Sequence, residues 1–145
     1  MNDTMTTFGY PESCLLEYTH WAVLLRPKQV TLGSLMLVCK EEARAFGDIT
    51  AAAFDELSTA VADIERTLKN AFDYDKINYL MLMMVDPHVH FHVIPRYAAP
   101  ATFDDVPFPD AGWPGPPALG SPTETTAETH RRISELMVSG FGTRG

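Results

Sequence analysis

Short apolar runs bounded by turn-forming residues alternate with one long amphipathic segment in the first hundred residues. Apolar runs at 20–26, 34–40 and 76–85 predict buried strands, and Gly33 marks the turn before the second run. Residues 88–96 alternate between polar and apolar side chains over their first six positions, which predicts a strand with one buried face. Asp86-Pro87 separates the last two runs and predicts a bend.

The segment 50–72 predicts the main helix. Thr50 is a good N-cap residue, and Ile49 before it can pack against Phe54 in the first turn. Apolar side chains recur there at spacings of three and four, at Phe54, Leu57, Val61, Ile64 and Leu68. Strands in runs around one long helix favour an α+β fold class, with a mostly antiparallel sheet and the helix packed on one face.

Beyond residue 95 the pattern changes to a proline-rich texture. Eight of the eleven prolines lie between Pro95 and Pro122, which excludes a helix or an interior strand there. Ser121-Pro122-Thr123-Glu124 has the form of a capping box and predicts a short C-terminal helix. We therefore expect a single domain over 1–145, with a core at about 15–98, a Pro-rich arm at 99–120, a helix at 121–139 and fraying at 141–145.

Composition and charge narrow the classes of function. A net charge of −8 argues against a general nucleic-acid binder, although a locally positive pocket for a small anion is compatible with it. Cys14 and Cys39 are the two cysteines, they form no CxxC pair, and we expect reduced thiols in a cytoplasmic protein. Neither a signal peptide nor an apolar run long enough to span a membrane is evident, so no membrane partner is expected.

The chemistry is concentrated in one strand. Side chains two apart in a strand share a face, so His88, His90 and His92 point one way, while Val89, Phe91 and Val93 point to the core. Three interpretations compete: a histidine-rich surface, a zinc site, and catalysis on a phosphate. At about 3.3 Å per residue the outer histidines stand roughly 13 Å apart, so one ion could take only two of them and would need ligands from elsewhere.

Catalysis on a phosphate needs neither a metal nor a cofactor. A neutral imidazole can attack phosphorus, and neighbouring imidazoles can donate hydrogen bonds to the other oxygens or protonate the leaving group. A central histidine with one more on each side suits this chemistry. Arg26, Lys28 and Arg96 are cationic candidates for the rim of such a cleft, and Asn78 lies on the preceding strand.

The run His88-Val-His90-Phe-His92-Val-Ile94, followed by Pro95-Arg96, resembles the motif of the histidine triad family. Further similarity lies in Lys76-Ile-Asn78-Tyr, which resembles the K-φ-N segment of a bacterial branch, and in Trp113-Pro-Gly-Pro116, which resembles its downstream Trp-Pro element. Residues 21–26 and 34–40 lie where the family has its first strands. The resemblance covers most of 20–117.

The resemblance implies a homodimeric α+β nucleotide hydrolase or nucleotidyl transferase that acts on an α-phosphate. Typical substrates are dinucleoside polyphosphates and nucleoside phosphoramidates. By position, His90 would be the nucleophile that forms a nucleotidyl-histidine, and water would then release a nucleoside monophosphate. His88 and His92 would hold the phosphate and orient the nucleophile. Asn78 would lie near the ribose or brace the triad, or would simply cap a core strand.

Two positions depart from the family pattern. Where many members carry an acidic residue after the first strand, this chain has Arg26-Pro27-Lys28, which either clamps a phosphate or is an exposed basic loop. Where many members have small polar residues before the triad, it has Met83, Met84, Val85 and Asp86. The apolar loop keeps open a second hypothesis, a non-catalytic protein that binds or senses a nucleotide on the same fold.

Overall fold

The computed structural model describes residues 1–142, and its centre is a five-stranded antiparallel sheet. The strands are β1 (Cys14–Glu17), β2 (Trp21–Leu25), β3 (Leu35–Cys39), β4 (Lys76–Leu80) and β5 (His90–Arg96). Their order across the sheet is β1-β2-β3-β5-β4, so β5 lies between β3 and the edge strand β4. The α+β class and the mostly antiparallel sheet are confirmed.

One face of the sheet carries the main hydrophobic core. Helix α2 (Ala51–Phe72) packs on this face, and the Trp21 indole N–H donates to the carbonyl of Ala53 at 2.8 Å. Thr50 caps the helix as predicted, since its hydroxyl accepts from the N–H of Ala53. Gly33 has a φ of 86°, and a Cβ there would lie 2.9 Å from the side chains of Leu68 and Phe72. The turn between β2 and β3 can approach α2 because residue 33 has no side chain.

A short N-terminal helix covers the opposite face of the sheet. Helix α1 (Asp3–Thr7) begins after Asn2, whose side chain accepts from the N–H of Met5 and donates to the carbonyl of Cys39 at 2.8 Å. A second apolar cluster packs α1 against the sheet. Its buried members are Met5, Ala22, Leu24, Met36 and Val38, and the partly buried Phe8, Tyr10 and Cys14 pack against them. The pattern of turn formers over the first residues did not predict this helix or β1.

The arm is ordered by a hairpin of its own. Strands β6 (Ala101–Phe103) and β7 (Val106–Phe108) pair around Asp104 and Asp105, which both have positive φ, and the side chain of Phe108 is fully buried. The prediction of a Pro-rich arm at 99–120 therefore overlooked a local hairpin. Pro107 fits because the two strands form a separate small sheet with no further neighbour in the described chain.

The C-terminal helix begins later than predicted. Helix α3 (Ala127–Gly142) is capped by Thr126, whose hydroxyl accepts from the N–H of Thr129 at 3.1 Å. The prediction of a capping box at 121–124 is wrong. The N–H of Thr123 donates to the carbonyl of Gln29, and this hydrogen bond holds the segment in an extended conformation. The predicted fraying at 141–145 fails for Phe141, which is buried and helical, and 143–145 lie outside the described residues. Within 1–142, no helix has the length and apolar character needed to cross a bilayer.

Two strand boundaries around the triad also differ from prediction. Strand β4 ends at Leu80 rather than Val85, because Met83 has a φ of 54° and the chain leaves the sheet. Strand β5 begins at His90 rather than His88. Between them, Met84 and Val85 are 84% and 89% exposed, so the apolar run that predicted a buried strand is largely a surface segment.

Candidate functional site

The histidines lie on the sheet face that α1 covers. In the register of β3 and β5, Met36 pairs with His92 and Val38 with His90, and these side chains share one face. His88 precedes the strand, but the chain is still held there, because the carbonyl of Val89 accepts from the N–H of Cys39. Val89 and Val93 point into the core on the other face, as the alternation predicted.

The geometry around His90 determines which ring nitrogen carries the proton. His90 Nδ1 lies 2.7 Å from the carbonyl oxygen of His88. A carbonyl only accepts, so Nδ1 carries the hydrogen, and Nε2 of the neutral ring has a free lone pair. The ring is only 2% exposed and lies beside the rings of Phe8 and His92, with centroids at 6.1 and 5.3 Å. His90 thus carries an unprotonated ring nitrogen on a side chain largely shielded from water.

His88 is fully engaged by the protein. Its Nε2–H donates to a Glu42 carboxylate oxygen at 2.9 Å, and its Nδ1 lies 3.1 Å from the hydroxyl of Thr4. The backbone N–H of His88 also donates to that hydroxyl, at 3.2 Å. With 1% of its surface exposed and both ring nitrogens in use, His88 is placed to orient His90 through its carbonyl rather than to hold a phosphate. Sequence reasoning missed Thr4 and Glu42, since neither belongs to the motif.

His92 lies beside His90 and is kept neutral. Burial, the charge that His90 can carry and the nearby Arg26 together lower the pKa of His92 to about 4. Its Nδ1 is buried and makes no hydrogen bond within the described residues. A neutral imidazole at this position can accept a proton or, once an anion raises its pKa, donate one.

Arg26 and Lys28 lie at one end of this face. Arg26 follows β2, its N–H donates to the carbonyl of Ser34 at 3.0 Å, and its charge acts on His92. Both residues line a cavity of about 180 Å³ together with Thr7, Phe8 and Pro27. Phe8 thus connects this cavity to the histidines, since its ring also lies 6.4 Å from that of His92.

Arg96 and Asn78 are held elsewhere, at the junction with the arm. The Arg96 guanidinium donates to both carboxylate oxygens of Asp110, at 2.7 and 3.0 Å, and to the carbonyl of Gly115. It also donates to the side-chain oxygen of Asn78 at 2.7 Å. The expected placement of Arg96 at the rim is not what the structure has, because the buried arm carboxylate engages the guanidinium.

The zinc interpretation depends on a set of ligands. Over residues 1–142, no three His, Cys, Asp or Glu side chains are grouped so that they could hold a metal ion. Glu42 and Glu41 instead each contact one histidine, His88 and His20 respectively.

The fold has many solved counterparts. A histidine triad protein of Sinorhizobium meliloti 1021 superposes with a TM-score of 0.75 at 20% identity, over 97% of this chain and 95% of that one. Histidine triad proteins of Marinobacter aquaeolei VT8 and Bradyrhizobium japonicum both give a TM-score of 0.74, at 20% and 19% identity. The alignments cover 100% and 97% of this chain, and 97% and 96% of those proteins, respectively. At this identity the likeness establishes the fold alone.

Sequence comparison establishes the family independently. Proteins of curated function give no significant match. The model of the HIT domain family matches residues 10–99, which is well over half of the chain and includes all three histidines of the motif. The chain belongs to the HIT (histidine triad) family.

Proposed function

We propose that this protein is a nucleotide hydrolase or nucleotidyl transferase in which His90 attacks an α-phosphate. The substrate class is a nucleoside phosphoramidate or a dinucleoside polyphosphate. The hydrogen bond from His90 Nδ1 to the His88 carbonyl carries the proposal, because it fixes the tautomer that leaves Nε2 free to attack. Family membership supports nucleotide chemistry in general.

The reaction takes two displacements at phosphorus. His90 Nε2 donates its lone pair to the α-phosphorus, and the bond from phosphorus to the leaving oxygen or nitrogen breaks, with the leaving group taking that electron pair. The leaving group takes up a proton. Water then attacks the nucleotidyl-histidine and loses a proton, the P–N bond breaks, and the nucleoside monophosphate departs with His90 restored.

His92 is the group that would donate a proton to the leaving oxygen or nitrogen. It is neutral in the free protein, since its pKa is lowered to about 4 by burial, His90 and Arg26. An anionic phosphate bound beside it opposes the two cationic influences and raises that pKa, which favours proton donation, while burial, the largest cause of the lowered pKa, remains. His88 stays in the protein's own network and acts by positioning.

Assembly as a homodimer in the cytoplasm is part of the proposal. Strand β4 is at a sheet edge, and Leu82, Met84 and Val85 are exposed next to it. An open edge beside an apolar surface supports pairing with a second copy.

The test combines turnover with detection of the covalent intermediate. We expect wild-type protein to release nucleoside monophosphate from a panel of phosphoramidates and dinucleoside polyphosphates, and His90→Asn to lose about a thousandfold or more in kcat/KM. Intact-mass measurement after an alkaline quench should show one added nucleotidyl group on the wild-type chain and none on His90→Asn.

A matched control replaces a histidine outside the site. His20→Asn removes the imidazole that contacts Glu41 at the start of β2 and should leave turnover near the wild-type value. Nucleotide-dependent thermal stabilisation with neither product nor adduct would establish the non-catalytic alternative instead.

A further inference from the structure

A small cavity with cationic side chains lies near His90 and His92, and the ring of Phe8 stands between them. The cavity of about 180 Å³ is lined by Arg26, Lys28 and Phe8, with Thr7 and Pro27 completing it. Phe8 also stands over the histidine pair, with its centroid 6.1 Å from His90 and 6.4 Å from His92. Sites for whole drug-sized ligands usually measure about 300–1,000 Å³, so this volume suits one chemical group rather than a nucleoside.

Arg26 carries donor capacity that the protein does not use. One terminal nitrogen donates to the carbonyl of Lys28 at 2.7 Å, whereas Nε is buried and has no hydrogen-bond partner in the described chain. Across residues 1–142, neither Arg26 nor Lys28 forms an ion pair with a carboxylate. Burial without a counter-charge lowers the pKa of the Arg26 guanidinium. A partly buried cation in this condition is stabilised by a bound anion.

The other partly or fully buried arginine at this sheet shows the opposite arrangement. Arg96 is closed off by both oxygens of Asp110 and by two further acceptors. In a chain with a net charge of −8, carboxylates are plentiful, yet the Arg26 cavity has none in its lining. The lining of the cavity therefore suits an anion, since guanidinium and ammonium groups are the usual partners of phosphate oxygens.

We propose that Arg26 and Lys28 bind a second phosphate of the substrate, separate from the phosphate that His90 attacks. This inference depends on the proposed function for the identity of the first phosphate. The second phosphate belongs either to the ribose, at its 2′ or 3′ oxygen, or to the polyphosphate chain. Substrates with only the scissile phosphate leave the guanidinium of Arg26 unpaired.

Calorimetric titration of the full-length protein distinguishes these sources without requiring turnover. The ligands are a nucleoside 5′-monophosphate, its 2′,5′- and 3′,5′-bisphosphates and its 5′-diphosphate, each with all four common bases. We expect at least one ligand with an added phosphate to bind about tenfold or more tightly than the monophosphate, as charge-assisted hydrogen bonds of this kind allow. The ligand that gains affinity identifies where the second phosphate sits.

Variants then connect the gain to the cavity. The double variant Arg26→Gln/Lys28→Gln should abolish the gain, Arg26→Lys should keep part of it, and Lys69→Gln should keep all of it, because Lys69 lies on α2 at the other face of the sheet. Thermal unfolding confirms that each variant folds. Equal affinity for all four ligands, or a gain that survives the double variant, would overturn the proposal.

The same titrations on His90→Asn separate this inference from the proposed function. The affinity pattern should persist there, because binding of the second phosphate does not need the nucleophile. If turnover and the covalent adduct are absent but the gain depends on Arg26 and Lys28, the proposed enzyme fails and the anion site stands. If none of the nucleotides binds to the wild-type chain, both fail.

Discussion

At the residue scale, the three histidines of one motif have three different environments. His88 is hydrogen-bonded on both ring nitrogens, His90 on Nδ1 alone, and Nδ1 of His92 has no partner in the described residues. Side-chain alternation predicts that they share a face, and it predicts nothing about these partners. The difference in environment therefore comes from tertiary contacts made by Thr4, Glu42 and the backbone of His88 itself.

The depressed pKa of His92 predicts a pH dependence of stability. With a pKa of about 4 in the fold against 6.5 ordinarily, the folded state binds fewer protons than the unfolded chain between those values. The contribution of His92 to the free energy of unfolding therefore rises with pH from about 4 to 6.5. His92→Gln should lose this slope, so that its stability relative to wild type is greatest at about pH 4 and declines toward pH 7.

Urea denaturation at closely spaced pH values measures this difference, and nitrogen NMR of the ring checks that His92 stays neutral down to about pH 4. The variant His130→Gln controls for loss of an imidazole elsewhere. A stability difference between His92→Gln and wild type that is constant from pH 4 to 7 would contradict the assignment.

At the element scale, the N-terminal segment completes the site that the sheet begins. Helix α1 is anchored by Asn2 on the backbone of β3, and it brings Thr4 to His88 and Phe8 to His90. A helix of five residues is not stable alone, so its position depends on the apolar cluster around Met5. Its sequence contains Thr4, Thr6 and Thr7, which are weak helix formers, and it is too short to show apolar residues at helical spacing. The sequence therefore does not predict this helix.

We predict that Thr4 positions His90 through His88. Thr4→Val keeps the shape of the side chain but removes the hydroxyl that contacts the N–H and Nδ1 of His88, at 3.2 and 3.1 Å. Leaving these buried groups unsatisfied should lower the free energy of unfolding by about 1–3 kcal/mol. It should also lower kcat with little change in KM, because the carbonyl that holds His90 moves while the binding groups stay.

Thr4→Ser restores the hydroxyl and should restore kcat, which a purely structural loss of packing would not do. Thr6→Val is the matched control, since Thr6 is an exposed residue and its hydroxyl makes only a long contact with the carbonyl of Asn2, at 3.4 Å. If Thr4→Val lost stability but kept its kcat, the connection from Thr4 to the nucleophile would be refuted.

The elements predictable from sequence are those whose pattern is local. Helix α2, strands β2 and β3 and the shared face of His90 and His92 follow from spacing, because burial on one face requires it. Helix α1 does not, since it is held by contacts distant in sequence. Strands β1, β6 and β7 do not either, because three or four residues are too few to show a clear alternation. The apolar run after Leu80 predicted a continuation of the strand, and this prediction is wrong because the chain leaves the sheet at Met83.

At the scale of the whole molecule, a buried ion pair joins the sheet to the Pro-rich arm. The side chains of Arg96 and Asp110 are 5% and 1% exposed, and Asp110 also accepts from the N–H of Tyr97. Asp110 and Gly115 both belong to the arm, so the guanidinium fixes the arm against β4 and β5 at two points. An arginine after the triad motif is compatible with phosphate binding from sequence alone, and only the fold reveals its partner.

Breaking this ion pair should lower the free energy of unfolding and loosen the arm, with a smaller effect on catalytic activity. Asp110→Asn leaves the guanidinium buried with a weaker acceptor, and loss of one partner of a buried pair costs about 3–5 kcal/mol. We expect urea denaturation to show a loss of that size, and hydrogen exchange to increase across 99–120 more than in α2. The double variant Arg96→Met/Asp110→Leu removes both charges and should recover much of the loss.

Kinetics of Arg96→Lys then decide between an arm anchor and a phosphate ligand. Lysine keeps the charge but cannot match the two-oxygen contact with Asp110, so an anchor predicts lower stability with KM unchanged where the variant is folded. Arg132→Lys is the control, since its partner Asp104 lies on the hairpin at the surface. A rise in KM for Arg96→Lys without loss of stability would indicate that Arg96 binds the substrate, and it would contradict the anchoring role.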